Sequence, residues 1–230
     1  MLAGPKGCSF PLDTHGRRTT PLTSMYDRHL FGGAIFVSIP DDFEDVEQTA
    51  AISHHYSYFR QAHYNEASFT NVDTGECLSI ELFELADDAE GEDGIRYRFD
   101  ELASYNSAQP ARLNAVGKLS DDEVPNLPIT AQTYYAIGEQ WLVDGVKSAE
   151  TNTTARRRVD TIMALFRIYE AHLDIVVGLT VPVDSDAPHA EWTPTPAAEK
   201  SPSTLTDKAV TKLKAVLESF EILDVQKLFC

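Results

Sequence analysis

An α+β fold, with helices packed against an antiparallel sheet, is what this sequence predicts. Three observations lead there. Strand-like stretches follow one another, with helical ones interposed only at intervals. The stretch Leu78–Leu85 sets Leu78, Ile80 and Leu82 against Ser79, Glu81 and Phe83, the period-two pattern of a strand with one buried face. Two late apolar segments, Val159–Ile168 and Leu173–Val183, are joined only by Tyr169-Glu170-Ala171-His172, which favours an antiparallel hairpin.

In chain order, Met1–Arg28 holds scattered glycines and prolines without an apolar period, so residues 1–28 are expected to be a flexible basic tail and 29–230 one domain. Order begins at Leu30-Phe31-Gly32-Gly33. Ala34–Ile39 is rich enough in β-branched and aromatic residues to be a strand, and Pro40 stops it. Asp41–Val46 is an acidic turn that could open a short helix through Gln48. Tyr56–Phe59 and Glu66–Thr70 are expected to form a hairpin arm, which enters the Leu78 strand through the turn at Asp73-Thr74-Gly75. At Glu84 the alternation slips, so that strand ends or bulges there.

Ile95, Phe99, Leu102 and Ala103 lie at helical spacing in Ile95–Tyr105. Ile129–Val143 reads as one long strand, bent at Gly138. Asp184–Ser203, with Pro188, Pro194, Pro196 and Pro202, is a loop. Thr204-x-x-Asp207 then starts a helix with Leu205, Ala209, Val210, Leu213, Val216, Leu217 and Phe220 on one face.

A formal charge of −17 bounds the partners. Residues 1–29 are net positive by two, which leaves −19 on the rest. Nucleic acid and anionic membranes would be repelled, and a protein with a basic patch would be attracted. No apolar run approaches the roughly 20 residues that span a bilayer. Cys8, Cys77 and Cys230 are odd in number and irregularly spaced, which predicts a reducing compartment and no disulfide framework. The N-terminus lacks the apolar core of a secretory signal.

The chemistry of an enzyme is hard to find. There is no phosphate-binding Gly-x-x-x-x-Gly-Lys loop, no Gly-x-Ser-x-Gly elbow, no His-Glu-x-x-His helix and no Cys-x-x-Cys pair. His54, His55 and His63 would need a further ligand and the right geometry to hold a metal. Glu76 beside Cys77 argues against a reactive thiol. Arg156-Arg157-Arg158 reads as a solvated turn ahead of a strand. No cofactor and no metal are expected. Glu81 and Glu84 on an apolar strand, taken alone, are ordinary solvated charges.

Four blocks in order carry a resemblance. They are Leu30-Phe31-Gly32-Gly33-Ala34-Ile35 with Pro40, Phe43 and Asp45-Val46; Leu78–Leu85 with its two acids three apart; Arg96-Tyr97-Arg98-Phe99-Asp100-Glu101; and Ala164-Leu165-Phe166-Arg167-Ile168 with Asp174 and Pro182. From about Leu30 to Val183 the chain resembles the Mog family, the Ran guanine nucleotide release factors of nuclear transport.

The resemblance implies an α/β/α sandwich, an antiparallel sheet with helices on both faces, as in the photosystem PsbP proteins. It implies a non-catalytic regulator, expected as a monomer in nucleus and cytoplasm, that binds the small GTPase Ran in its GTP-bound or nucleotide-free form. Position by position, it makes Glu81 and Glu84 the acidic pair that contacts Ran, with Asp42, Glu44 and Asp45 in the matching acidic turn. The chain departs from the family pattern at Ala51–Phe69. Two other classes stay open: a PsbP-like scaffold with a different partner, and a hydrolase using the His-rich segment.

Overall fold

A computed structural model describes residues 24–46, 65–147, 154–183 and 204–229. The predicted Tyr56–Phe59 strand, the extension through Gln48, His54, His55, His63 and the loop 184–203 lie outside these residues, as do Cys8 and Cys230.

Seven strands form one antiparallel sheet in the spatial order β3-β4-β5-β9-β8-β7-β6. They are β3 (Glu44–Asp45), β4 (Glu66–Thr70), β5 (Cys77–Glu84), β6 (Ala111–Lys118), β7 (Gln132–Lys147), β8 (Thr154–Ile168) and β9 (Leu173–Pro182). A second sheet sets β2 (Ile35–Pro40) between β1 (Met25–Leu30) and β10 (Glu221–Ile222). Among the described residues two α-helices complete the fold, α1 (Glu92–Tyr105) and α2 (Thr204–Ser219).

Period two decides the two faces of β5. Leu78, Ile80 and Leu82 are buried with Phe166, Val177 and Leu179, under the α2 residues Leu213, Val216 and Leu217 and the β2 residues Ile35, Val37 and Ile39. The odd residues turn the other way, towards α1, where Ile95 and Phe99 bury Ala136, Met163, Leu165 and Val176, with Phe83 at the margin. Each large apolar side chain withdrawn from water on either face stabilises the fold by about 1.5–3 kcal/mol. Among the described residues the sheet therefore buries apolar side chains on both of its sides, and the expected sandwich is observed.

β9 is the hub of the sheet. It pairs with all of β5, from Cys77↔Thr180 to Glu84↔Leu173, and with β8 from Val159↔Pro182 to Ile168↔Leu173. Pairing with β5 is unbroken through Glu84, so the slip in alternation marks the strand's end and not a bulge. The irregularity lies in β6, between Leu113 and Ala115, opposite Gly138. A Cβ on Gly138 would stand 2.6 Å from both the Phe99 ring and the Arg112 carbonyl oxygen. That glycine is the place where α1 comes down onto the sheet.

Several boundaries differ from the expectation. Residues 25–28 are not part of a tail: they belong to β1, paired from Met25↔Pro40 to Leu30↔Ile35. The strand expected from Ile129 starts at Gln132, and Ile129 is 99% exposed. The three arginines lie inside β8, where Arg158 pairs with Glu139 at 3.0 Å and Asp160 at 2.9 Å. The acidic turn contains the short strand β3. β6 had no expected counterpart, because Ala111–Lys118 is an edge strand with little buried on either face.

Candidate functional site

The end of β5 is held by a buried charge network. Asp174 on β9 is fully buried, yet it faces two buried arginines. Arg98 of α1 donates to its Oδ2 from Nε at 3.2 Å and from Nη2 at 2.8 Å. Arg167 of β8 donates from Nε to Oδ1 at 2.9 Å. Arg98 Nη1 donates to Glu101 Oε2 at 2.8 Å, and other donors reach main-chain carbonyls at the end of β5 and just beyond it. Arg98 Nη2 bonds to Glu84 O, Arg167 Nη2 to Ala86 O at 2.6 Å and Arg167 Nη1 to Ala89 O. Ala86 N–H returns a bond to Asp174 Oδ2 at 3.3 Å. Burying these three charges is tolerable because each is paired and hydrogen-bonded. The network fixes where Glu84 leaves the sheet.

Glu84 itself is exposed at the strand's exit. Glu81, an odd position, projects from the opposite face, beneath α1. The expectation that both acids sit on an open face holds for Glu84 only. Glu81 is mostly covered and stands directly across from Glu66 of β4. Its Oε1 accepts from Ser79 Oγ at 3.0 Å. Burial first, and then the Glu66 carboxylate, pushes Glu81 up to about 7, against the lowering effect of the Ser79 hydrogen bond. Glu101 on α1 adds to the rise and Arg98 opposes it. Near neutral pH this carboxyl therefore carries only part of a charge.

Below Glu81 is a groove of about 270 Å³ between α1 and strands β4, β5, β8 and β9. Glu66, Glu81 and Glu101 line it, with Phe83, Leu102 and Met163 as apolar wall. Cys77 lies at its side, buried. Burial pushes the Cys77 thiol up to about 12, and Glu66 and Glu81 push the same way, so the sequence-based reading of an unreactive thiol holds with a larger cause than Glu76. Above the groove, Tyr97 and Tyr105 of α1 are exposed, with Glu101 between them on the same helical stripe.

The three acids of the turn lie elsewhere. Glu44 and Asp45 pair with Thr70 and Phe69, towards the end of the β4–β5 hairpin that is remote from Glu84. Asp42 accepts from Asn71 Nδ2 at 2.8 Å and pairs with Lys212 of α2 at 3.2 Å. Asp45 pairs with Arg28 of β1 at 2.7 Å. Glu44 is exposed. The five acids thus divide into two groups, and two of the turn acids are engaged in holding β1 and α2 to the sheet. Among the described residues, no group of three or more His, Cys, Asp or Glu side chains is placed to hold a metal ion, and no helix is long and apolar enough to cross a membrane.

The segment containing both acidic groups and the arginine network, residues 28–182, matches the family described as Ran-interacting Mog1 protein. The chain belongs to that family. The Ran guanine nucleotide release factor of Danio rerio is 27% identical over 157 residues, 68% of this chain and 78% of its own length. The probable ran guanine nucleotide release factor of Dictyostelium discoideum is 26% identical over 153 residues, 65% of this chain and 70% of its own. In fold, the chain is similar to the Saccharomyces cerevisiae Ran-binding protein Mog1p, with a TM-score of 0.57 at 15% identity over 89% of this chain and 98% of that one.

Reasoning from sequence missed Glu66, Glu101 and the joining of Arg98, Asp174 and Arg167 in this Mog1-family chain. One signal was available. Arg167 and Asp174 each interrupt an otherwise apolar strand, and a charge in such a place needs a partner of opposite sign.

Proposed function

We propose that this protein binds the small GTPase Ran and promotes release of its guanine nucleotide, acting in nuclear protein import between nucleus and cytoplasm. Membership of the Mog1 family across residues 28–182 carries this reading. Release factors named for Ran among the relatives support it.

The contact surface is the end of β5: Glu84, exposed on one face, and on the other face the partly covered Glu81 with the exposed α1 residues Tyr97 and Tyr105. An acidic edge on a protein of charge −17 attracts and orients a basic partner surface. Glu44 adds charge at the far end of the hairpin, and Asp42 and Asp45 act by holding the turn in place.

No catalytic group is needed. A protein that binds the nucleotide-free GTPase more tightly than the loaded form must weaken nucleotide binding in the complex by the same factor. Each tenfold loss requires about 1.4 kcal/mol of differential affinity.

The test is capture of purified Ran in nucleotide-free, GDP and GTP forms, paired with a fluorescent-nucleotide release assay. The expected result is preferential capture of the nucleotide-free or GTP form and release that accelerates with added protein. Equal capture of every form, without acceleration, would leave a scaffold and remove the release activity.

A further inference from the structure

The proposed contact surface draws on two elements, the end of β5 and the outer stripe of α1, and one buried side chain touches both. Arg98 leaves α1 and is only 5% exposed. On the strand side its Nη2 donates to the Glu84 carbonyl, and its guanidinium stands 4.5 Å from the centre of the Phe83 ring. On the helix side its Nη1 donates to Glu101 Oε2 at 2.8 Å, and the Tyr97 hydroxyl donates to Oε1 of the same carboxylate at 3.4 Å. The guanidinium also lies 5.4 Å from the centre of the Tyr97 ring. Glu84, Tyr97 and Glu101 are all exposed.

Charge balance in the interior does not require Arg98. Asp174 already accepts from Arg167 Nε at 2.9 Å and from the Ala86 N–H at 3.3 Å. One carboxylate balances one guanidinium, and Arg167 is the more deeply buried of the two. Arg98 is a second cation on that anion, and a buried cation in excess is costly unless it finds a partner of its own. Its partner is Glu101, at the surface. The helix is held to the sheet by Ile95 and Phe99 in any case.

We infer that Arg98 is a positioning residue for the Ran contact, holding Tyr97 and Glu101 of α1 in a fixed relation to the exit of β5. The inference rests on the reading of Ran as the partner. Glu84 and the helix stripe project from opposite faces of β5, so a partner that touches both spans the strand end and depends on their separation. A planar guanidinium sets that separation, because its nitrogens serve Asp174, Glu101 and the Glu84 carbonyl at once while its face covers Phe83. An ammonium is a single point of charge and does not reproduce the fork. Groups arranged before binding lose less freedom on binding, and the gain appears in the dissociation rate.

The experiment measures association and dissociation of the full chain on immobilised nucleotide-free Ran, at a temperature where melting curves show every variant folded. Arg98→Lys keeps the net charge and therefore the long-range attraction. Its association rate should stay within about twofold of wild type, and its dissociation rate should rise about tenfold. In a Glu84→Gln background the same change should raise dissociation by less than about threefold, because the two residues act through one contact. Phe83→Leu removes the ring beneath the guanidinium without altering a charge, and should raise dissociation by about threefold or more. It carries the test if Arg98→Lys does not fold. Arg158→Lys alters an arginine paired with Glu139 and Asp160 at the opposite end of the sheet, and should leave both rates unchanged.

A lower melting temperature with an unchanged dissociation rate would make Arg98 structural only and overturn the inference. Equal increases in the wild-type and Glu84→Gln backgrounds, or an equal increase with Arg158→Lys, would overturn it as well. Failure of the wild-type chain to bind Ran would overturn the reading of the partner, and this inference with it.

Discussion

Reversing one charge at the end of β5 is the sharpest test of the proposed contact. Glu84→Lys changes an exposed side chain whose neighbours in the network touch only its carbonyl. The substitution should therefore cost the fold no more than about 0.5 kcal/mol. At a contact the effect is much larger. A unit pair about 4 Å apart is worth roughly 1 kcal/mol in water and about 4 kcal/mol at the effective dielectric of a protein surface. Glu84 stays part-solvated in any rim contact, so about 1–2 kcal/mol of attraction is the applicable end of that range. Reversal removes the attraction and adds a comparable repulsion, about 2–4 kcal/mol in total. That corresponds to roughly 30- to several-hundred-fold weaker binding. The assay is surface-immobilised nucleotide-free Ran, with Asp87→Lys, an equal change of net charge in the neighbouring loop, as control. A loss below about threefold, or an equal loss with Asp87→Lys, would show that long-range charge and not Glu84 explains recognition. Glu81 is unsuitable for reversal, because a lysine there would be forced beneath α1 next to Arg98.

Three further outcomes are expected. Glu81 is pushed up to about 7 from 4.5, so the folded protein holds this proton more tightly than the unfolded chain. The resulting stabilisation is complete below about pH 4.5 and is lost as pH rises through 7, so Glu81→Gln should raise the melting temperature more at pH 8 than at pH 5, with an upper bound of about 3 kcal/mol. Asp174→Asn leaves Arg98 and Arg167 buried without their shared anion, and denaturant melts should show a loss of about 3–5 kcal/mol. In a Cys8→Ser, Cys230→Ser background, the native Cys77 thiol, buried and pushed up to about 12, should react with a thiol reagent only at the rate of unfolding, and a fast stoichiometric reaction in native buffer would contradict its placement.

What was legible in the sequence is what depends on neighbours a few residues away. Side-chain alternation in Leu78–Leu82 located β5 and its buried face, a short connection located the β8–β9 hairpin, and the spacing from Ala209 to Phe220 located the buried face of α2. Those signals are local because backbone period and burial are coupled within one element. Even the opposed directions of Glu81 and Glu84 follow from a spacing of three along a strand.

The rest depended on residues distant in the chain. β6 could not be read because an edge strand buries too little to impose an alternation. Nothing in the sequence says that Glu66 stands across from Glu81, or that α1 covers the odd face of β5 and turns an apparently solvated acid into one that titrates near neutrality. Arg98, Arg167 and Asp174 meet because β9 lies between β5 and β8 while α1 crosses above them. Charge pairing of that kind is set by which elements pack together, and only the tertiary structure decides it.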